Sequence, residues 1–220
     1  MRDSVQFVVD NLPALAEGLR VTVELSVIGC VGTLALGFVV AAARASRHRA
    51  ISAAALMYIE FLRNTPFVGQ IFFLYFGLPA LGVTLSGFTI GWVSLILWGA
   101  AYAAENYRAG LEAVPSHYLD GALALGFSWR QALARIVWPI GVRIAVPSLG
   151  NTAAAVVKNS SYLSLIAVAD LTQNAINIVN GSFRVTEMFL VMGVVYLTLV
   201  ALVSLAFNLV ERRFGIEGRM

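Results

Sequence analysis

Leu19–Ala43 reads LRVTVELSVIGCVGTLALGFVVAAA, and Arg44, Arg47 and Arg49 follow it directly. A hydrocarbon core about 30 Å thick is crossed by about 20 mostly apolar residues in a helix, so a run of this length with so few charges is a membrane span. The whole chain shares the bias. Of its 220 residues 59% are hydrophobic and 12% charged, against about 25% charged in a soluble domain. That leaves too little polar surface to face water, and the sequence predicts an all-α polytopic bundle forming a single membrane domain over residues 1–220.

Four further spans follow from the same reasoning: Met57 to about Leu81, which contains FVGQIFFLYFGLP; about Phe88 to Arg108; Ile140 to about Val168; and Thr186 to Val210. The fourth is the most polar, with Arg143, Pro147, Asn151, Lys158 and Asn159. Lys and Arg stay on the cytoplasmic side of a membrane protein. Five spans with Arg44, Arg47, Arg49, Arg108, Arg130, Arg135, Arg143, Arg212, Arg213 and Arg219 inside, and Arg2, Arg20 and Arg184 outside, satisfy that rule. They put the N-terminus outside and the C-terminus in the cytoplasm. Residues 1–18 carry Asp3, Asp10 and Glu17, which breaks up any signal-peptide core. Phe7, Val8, Leu12, Leu15 and Leu19 recur near helical spacing, as in a helix lying along the membrane surface.

Net charge is +3, but the basic residues lie beside apolar runs instead of forming a stripe with interleaved aromatics, which argues against nucleic acid as a partner. Cys30 is the one cysteine, so no intrachain disulfide and no multi-cysteine metal site can form. His48 and His117 lack metal-ligand spacing, and no metal is expected.

Between the third and fourth spans, residues 113–139 include DGALALGFSWRQALARIVWP, from Asp120 to Pro139. Ser116 can cap a helix that starts after Pro115, and Gly126 can end it in the left-handed conformation. Ser128 and Gln131 form an S-x-x-Q capping box for a second helix. That helix is expected to stop before Pro139, because proline disfavours helical geometry in the residue ahead of it. The first helix is poor in charge and edged by Tyr118, Leu119, Leu123 and Leu125, apolar surface that calls for a partner.

This stretch resembles the EAA signature of permease subunits of bacterial ATP-binding-cassette importers: E-A-A, three residues, G, nine residues, I, one residue, L-P. The matching positions are Asp120, Gly121, Ala122, Gly126, Ile136, Trp138 and Pro139, with Asp for Glu, Gly for Ala and Trp for Leu as departures. YIEFLRNTPFVGQIFFLYFGLP and IAVPSLGNTAAAVVKNSSYLSLIAVADLT look like the corresponding segments of the polar amino acid subfamily. The resemblance implies a fold like that of type I importers, with a coupling helix at Tyr118, Leu119, Asp120, Gly121, Ala122, Leu123, Gly126 and Pro139. It also implies ATPase subunits that bind ATP and Mg in place of any cofactor on this chain, an extracytoplasmic solute-binding protein, and a second permease copy or paralogue in the inner membrane.

Glu60 with Arg63, and Glu105 with Arg108 and Glu112, are candidate ion pairs at helical spacing near the cytoplasmic ends of their spans. A structural or gating role suits them better than substrate contact. Asn151, Lys158, Asn159, Ser160 and Ser161 fall where Pro147 and Gly150 loosen the fourth span, and they are candidates for lining the transport path. Interhelical hydrogen bonding is the equal alternative. The polar run Thr172–Arg184 lies on the outer side as a loop, gate or docking surface. The sequence has no H-E-x-x-H, G-x-S-x-G or phosphate-binding loop, so an enzyme is not expected and ATP hydrolysis falls to a separate chain. A self-sufficient secondary transporter or channel is the leading alternative, and no internal repeat supports it.

Overall fold

The computed structural model describes residues 2–213, and Arg219, assigned above to the cytoplasmic side, lies outside them. Nine helices form among the described residues: α1 Arg2–Asp10, α2 Leu12–Arg44, α3 Arg49–Asn64, α4 Phe67–Ala80, α5 Gly87–Glu112, α6 Ser116–Ala124, α7 Trp129–Ile166, α8 Leu171–Ser182 and α9 Val185–Arg213. Four of them, α2, α5, α7 and α9, are long and apolar enough to cross a membrane. In hydrocarbon every backbone polar group must bond within its own segment, and long helices meet that demand.

The expected second span, Met57 to Leu81, is not one helix. Proline removes a donor and drives the preceding residue out of the helical region; Thr65 accordingly lies at φ −108°, ψ 141° and Pro66 at φ −60°, ψ 131°. The passage therefore splits into α3 and α4. The break is held by Gln70, whose Nε2 donates to the Leu62 and Thr65 carbonyls at 2.9 and 3.2 Å and to Thr65 Oγ1 at 2.8 Å.

The fourth span differs in the opposite sense. α7 runs through Pro139, Pro147 and Gly150 without interruption, and Gly150 faces α9 so closely that an added Cβ would lie 2.9 Å from Phe207. Its winding changes to 3₁₀ at Ser160–Ile166 instead.

Packing rests on small residues. Gly29 and Gly37 of α2 meet α5 at Leu95, Ala100, Ala103 and Ala104, and Ala100, Ala101 and Ala103 are fully buried. One buried cluster, Leu25, Ile71, Ile90, Leu95, Val156 and Leu163, fills the middle of the bundle. A second, Ala41, Ile59, Ala104, Tyr107, Ala145 and Leu149, fills the end that carries Arg44 and Arg108. A third, Leu15, Leu171, Ala175 and Met188, joins α1, α2, α8 and α9 at the opposite end, with Phe7 and Val8 against it. Along α9 Leu197, Leu202, Leu205 and Leu209 stay exposed, as a lipid-facing helix requires.

An added Cβ on Gly37 would sit 2.6 Å from the Ala103 Cβ and 3.2 Å from the Ala100 carbonyl. Overpacking of this kind costs about 1–3 kcal/mol. Gly37→Leu is expected to lower the thermal unfolding midpoint in detergent, whereas Gly193→Ala on α9, where the added atom meets nothing within 4 Å, does not lower it. Equal midpoints for the two variants would refute the close-approach role of Gly37.

Candidate functional site

The hairpin at 116–137 is built as two helices around one obligatory turn. α6 begins at Ser116 after an extended Pro115 (φ −58°, ψ 136°), and no side chain caps it. Ser116 is thus the first helical residue and not the cap expected for it, since Pro115 already fixes the entry. At the other end Gly126 lies at φ +86°. Its N–H donates to the Leu123 carbonyl at 3.0 Å and the Phe127 N–H to the Ala122 carbonyl at 3.1 Å, the paired bonds of a Schellman turn. Ser128 and Gln131 then form the capping box: Gln131 N–H to Ser128 Oγ at 3.4 Å and Ser128 N–H to Gln131 Oε1 at 2.9 Å.

The helix opened by that box does not stop before Pro139. Trp138 is helical (φ −61°, ψ −50°), and the segment ahead of the proline, Leu133–Val137, is wound as a π-turn. Pro139 denies the Arg135 carbonyl a donor and presses its ring upon it; the wider π-turn accommodates both effects within a continuous helix. The hairpin is thereby joined rigidly to the fourth span.

Ala122 anchors α6 at 2% exposure, and Leu119 is half-buried. The rest of the helix faces outward: Asp120 and Gly121 are exposed, with Tyr118 at 43%, Leu123 at 42% and Leu125 at 80%. Exposed apolar side chains thus flank the seated Ala122 face at the arginine-rich end of the molecule. The Arg47 guanidinium stacks 4.2 Å over the Trp129 ring, tying the α2–α3 turn to the hairpin. Arg44 Nη1 donates to Ser52 Oγ at 2.6 Å, closing that turn.

Above the hairpin, charged residues line a cavity of about 560 Å³ that includes Arg44, Glu60, Glu105, Arg108, Glu112 and Trp129. The pairing expected between Glu60 and Arg63 does not form. Glu60 accepts from Asn64 at 2.9 Å, while Arg63 reaches across from α3 to Glu105 at 3.9 Å and lies over the Tyr102 ring at 5.3 Å. Glu105 is held by Arg108 at 2.8 Å, and Arg108 also pairs with Glu112. One carboxylate therefore links α3 to α5.

Of the polar residues singled out in the fourth span, Asn151 opens into a cleft of about 430 Å³ with Trp98, Tyr102, Asn106, Ser148 and Thr152. Asn106 Nδ2 donates to Thr152 Oγ1 at 2.8 Å and to the Ser148 carbonyl at 3.1 Å. Lys158 is exposed and Asn159 half-buried at the last turn before the 3₁₀ segment. Ser160 is fully buried and donates to the Val157 carbonyl at 2.8 Å, and Ser161 donates to the Lys158 carbonyl at 2.8 Å. Sequence reasoning missed Trp98, Tyr102 and Asn106. Their four-residue spacing places them on one stripe of α5, a signal hidden because two of the three are aromatic in an apolar run.

The model of the family described as "Binding-protein-dependent transport system inner membrane component" matches residues 33–216. The chain is 33% identical over 210 residues to the probable glutamine ABC transporter permease protein GlnM of Bacillus subtilis (strain 168), covering 96% of this chain and 97% of that one. It is 32% identical over 207 residues to the glutamine transport system permease protein GlnP of Escherichia coli (strain K12), covering 93% and 94%. A crystal structure of an amino acid ABC transporter with histidines superposes with a TM-score of 0.88 at 30% identity, covering 94% of this chain and 96% of that chain.

Because an αL conformation costs a residue with a Cβ roughly 1–2 kcal/mol and Asn less than most, and a Cβ on Gly126 meets no atom within 4 Å, Gly126→Asn should keep the hairpin while Gly126→Val melts the turn. Proteolysis between residues 124 and 129 reads the difference; equal resistance in both variants contradicts the role given to the turn.

Proposed function

We propose a coupling mechanism from the premise that this chain belongs to the binding-protein-dependent transport system inner membrane components, the permease subunits of ATP-binding-cassette importers. The observation that carries it is the capped hairpin with apolar side chains left exposed at Tyr118, Leu123 and Leu125. α6 docks in a groove of a separate ATPase subunit, which binds ATP and Mg and closes on hydrolysable nucleotide. Its displacement passes through the capped Gly126 turn into α7, which runs unbroken through its π-turn to the polar face that includes Asn151.

Two copies of the chain, or this chain and a paralogue, enclose the path. Asn151 lines it with Trp98, Tyr102 and Asn106, and Lys158, Asn159 and Ser161 lie nearer the outer mouth. The Arg63–Glu105–Arg108 network serves as a gate brace between α3 and α5. The solute is a polar amino acid, as the names of the glutamine permease relatives suggest, handed over by an extracytoplasmic binding protein at the end carrying α8. The N-terminus lies outside the inner membrane and the C-terminus in the cytoplasm, in keeping with Arg44, Arg108, Arg130 and Arg135 at the hairpin end.

Leu123→Asp places a charge on the exposed apolar surface of α6. Loss of a central apolar anchor costs an interface about 2 kcal/mol or more, roughly thirtyfold in affinity, so this variant should lose copurification with the ATPase subunit and ATP-driven uptake in proteoliposomes. Gly193→Ala on α9, which adds a carbon in open space away from the hairpin, retains both. Uptake by the purified chain alone under an ion gradient would overturn the mechanism.

A further inference from the structure

At the end opposite the hairpin, four helices converge on one carboxyl group that the transport mechanism does not use. Asp170 is fully buried and caps α8, its Oδ1 accepting the Gln173 N–H at 2.8 Å. Its Oδ2 is buried and has no hydrogen-bond partner. Hydroxyls surround it. Thr22 of α2, itself fully buried, accepts the Leu171 N–H on Oγ1 at 3.0 Å. Thr172 Oγ1 and the Tyr196 hydroxyl of α9 lie 2.9 Å apart, and buried Ser160 of α7 also approaches Tyr196. Gly18 of α2 closes the site, with an added Cβ falling 2.8 Å from the Asp170 carbonyl oxygen.

An ionised carboxylate in such a place needs a cation or several donors, because burying an unpaired charge is far costlier than burying a neutral polar group. No cation is supplied, and the donors within reach, the backbone N–H groups of Gln173 and Thr172 and the Tyr196 hydroxyl, are outweighed by burial. The titratable group that acts on the Asp170 carboxyl is the Tyr196 hydroxyl, and the charged residues at this end of the packed elements, Glu17, Arg20 and Glu24 on α2, Lys158 on α7 and Glu187 on α9, do not act on it. α8 itself carries no charged residue. A protonated Oδ2 becomes a donor, and the Tyr196 oxygen is then available to accept.

We propose that Asp170 carries a proton in the packed structure and acts as a proton-dependent positioning residue, latching α8 to α2 and α9. Burial is the main cause that pushes its carboxyl up to about 7 from an ordinary 3.8. With the folded value above the unfolded one, the latch contributes fully below about 4 and weakens as the pH rises from there through about 7. The protonation does not rest on the transport reading; it holds or fails whether or not the ATPase docks.

The test compares wild type with Asp170→Asn, which keeps an oxygen for the cap, in detergent micelles at about pH 5.5 and about pH 8. Infrared difference spectra of wild type minus variant should show the carbonyl stretch of a protonated carboxyl at the lower pH and its loss at the higher. Hydrogen exchange of the amides at 171–182, corrected for intrinsic rates, should quicken several-fold on raising the pH in wild type and stay flat in the variant. A missing carboxyl band at about pH 5.5, or parallel exchange profiles, overturns the proposal. Where Asp170→Asn does not fold, Tyr196→Phe serves: removing the facing hydroxyl should shift the frequency of the carboxyl band, and an unshifted band overturns the latch geometry.

Discussion

Helices immersed in hydrocarbon gain nothing from hiding apolar surface from lipid, so this bundle depends on how closely α2 and α5 can approach. Association there is driven by van der Waals contact and small residues. The Gly29 and Gly37 face of α2 against Ala100, Ala103 and Ala104 of α5 supplies it. The other elements use this pair as a frame. α7 packs on α5 through Ala145 and Leu149, and α9, with little buried beyond Met188, leans on α7 through Phe207 at Gly150.

A rigid frame transmits movement only if its helices have no loose joints, and proline is the obvious threat to that. The chain handles it twice in the same way. The π-turn Leu133–Val137 ends two residues before Pro139, and the π-turn Phe73–Gly77 ends two residues before Pro79. Each lengthens the turn where a proline would otherwise collide with the carbonyl one turn earlier. Where the chain does break, at Thr65–Pro66, it breaks with Gln70 filling the exposed carbonyls. The difference lies in the residues ahead of the proline: those before Pro139 and Pro79 are helical in φ and ψ, whereas Thr65 is extended.

This explains which features were legible in the sequence. Four of the five expected spans, the left-handed Gly126 turn and the Ser128–Gln131 box depend on local rules of length, backbone conformation and capping, and each can be read from neighbouring residues. The expected stop at Pro139 also came from a local rule, but a one-residue change of winding overrode it. The Glu60–Arg63 pairing failed for a related reason: i, i+3 spacing permits an ion pair, yet Glu105 on another helix competes for Arg63. The cleft at Trp98, Tyr102 and Asn106 was hidden because its polar atoms become a set only when α5 and α7 are brought together.

Polar groups differ between the two ends of the molecule. At the hairpin end Arg63 pairs across helices with Glu105, which Arg108 of the same helix also holds, and these partly exposed charges border a cavity of about 560 Å³, where water can share the cost of rearrangement. At the other end, Thr22, Ser160 and Asp170 are sealed among hydroxyls, where any rearrangement must move a proton or strand a charge. Ion pairs in a wet cavity exchange partners at low cost, so the hairpin end can shift as the lever moves. Among buried hydroxyls a neutral and an ionised carboxyl differ sharply in cost, so the end carrying α8 responds to pH through Asp170.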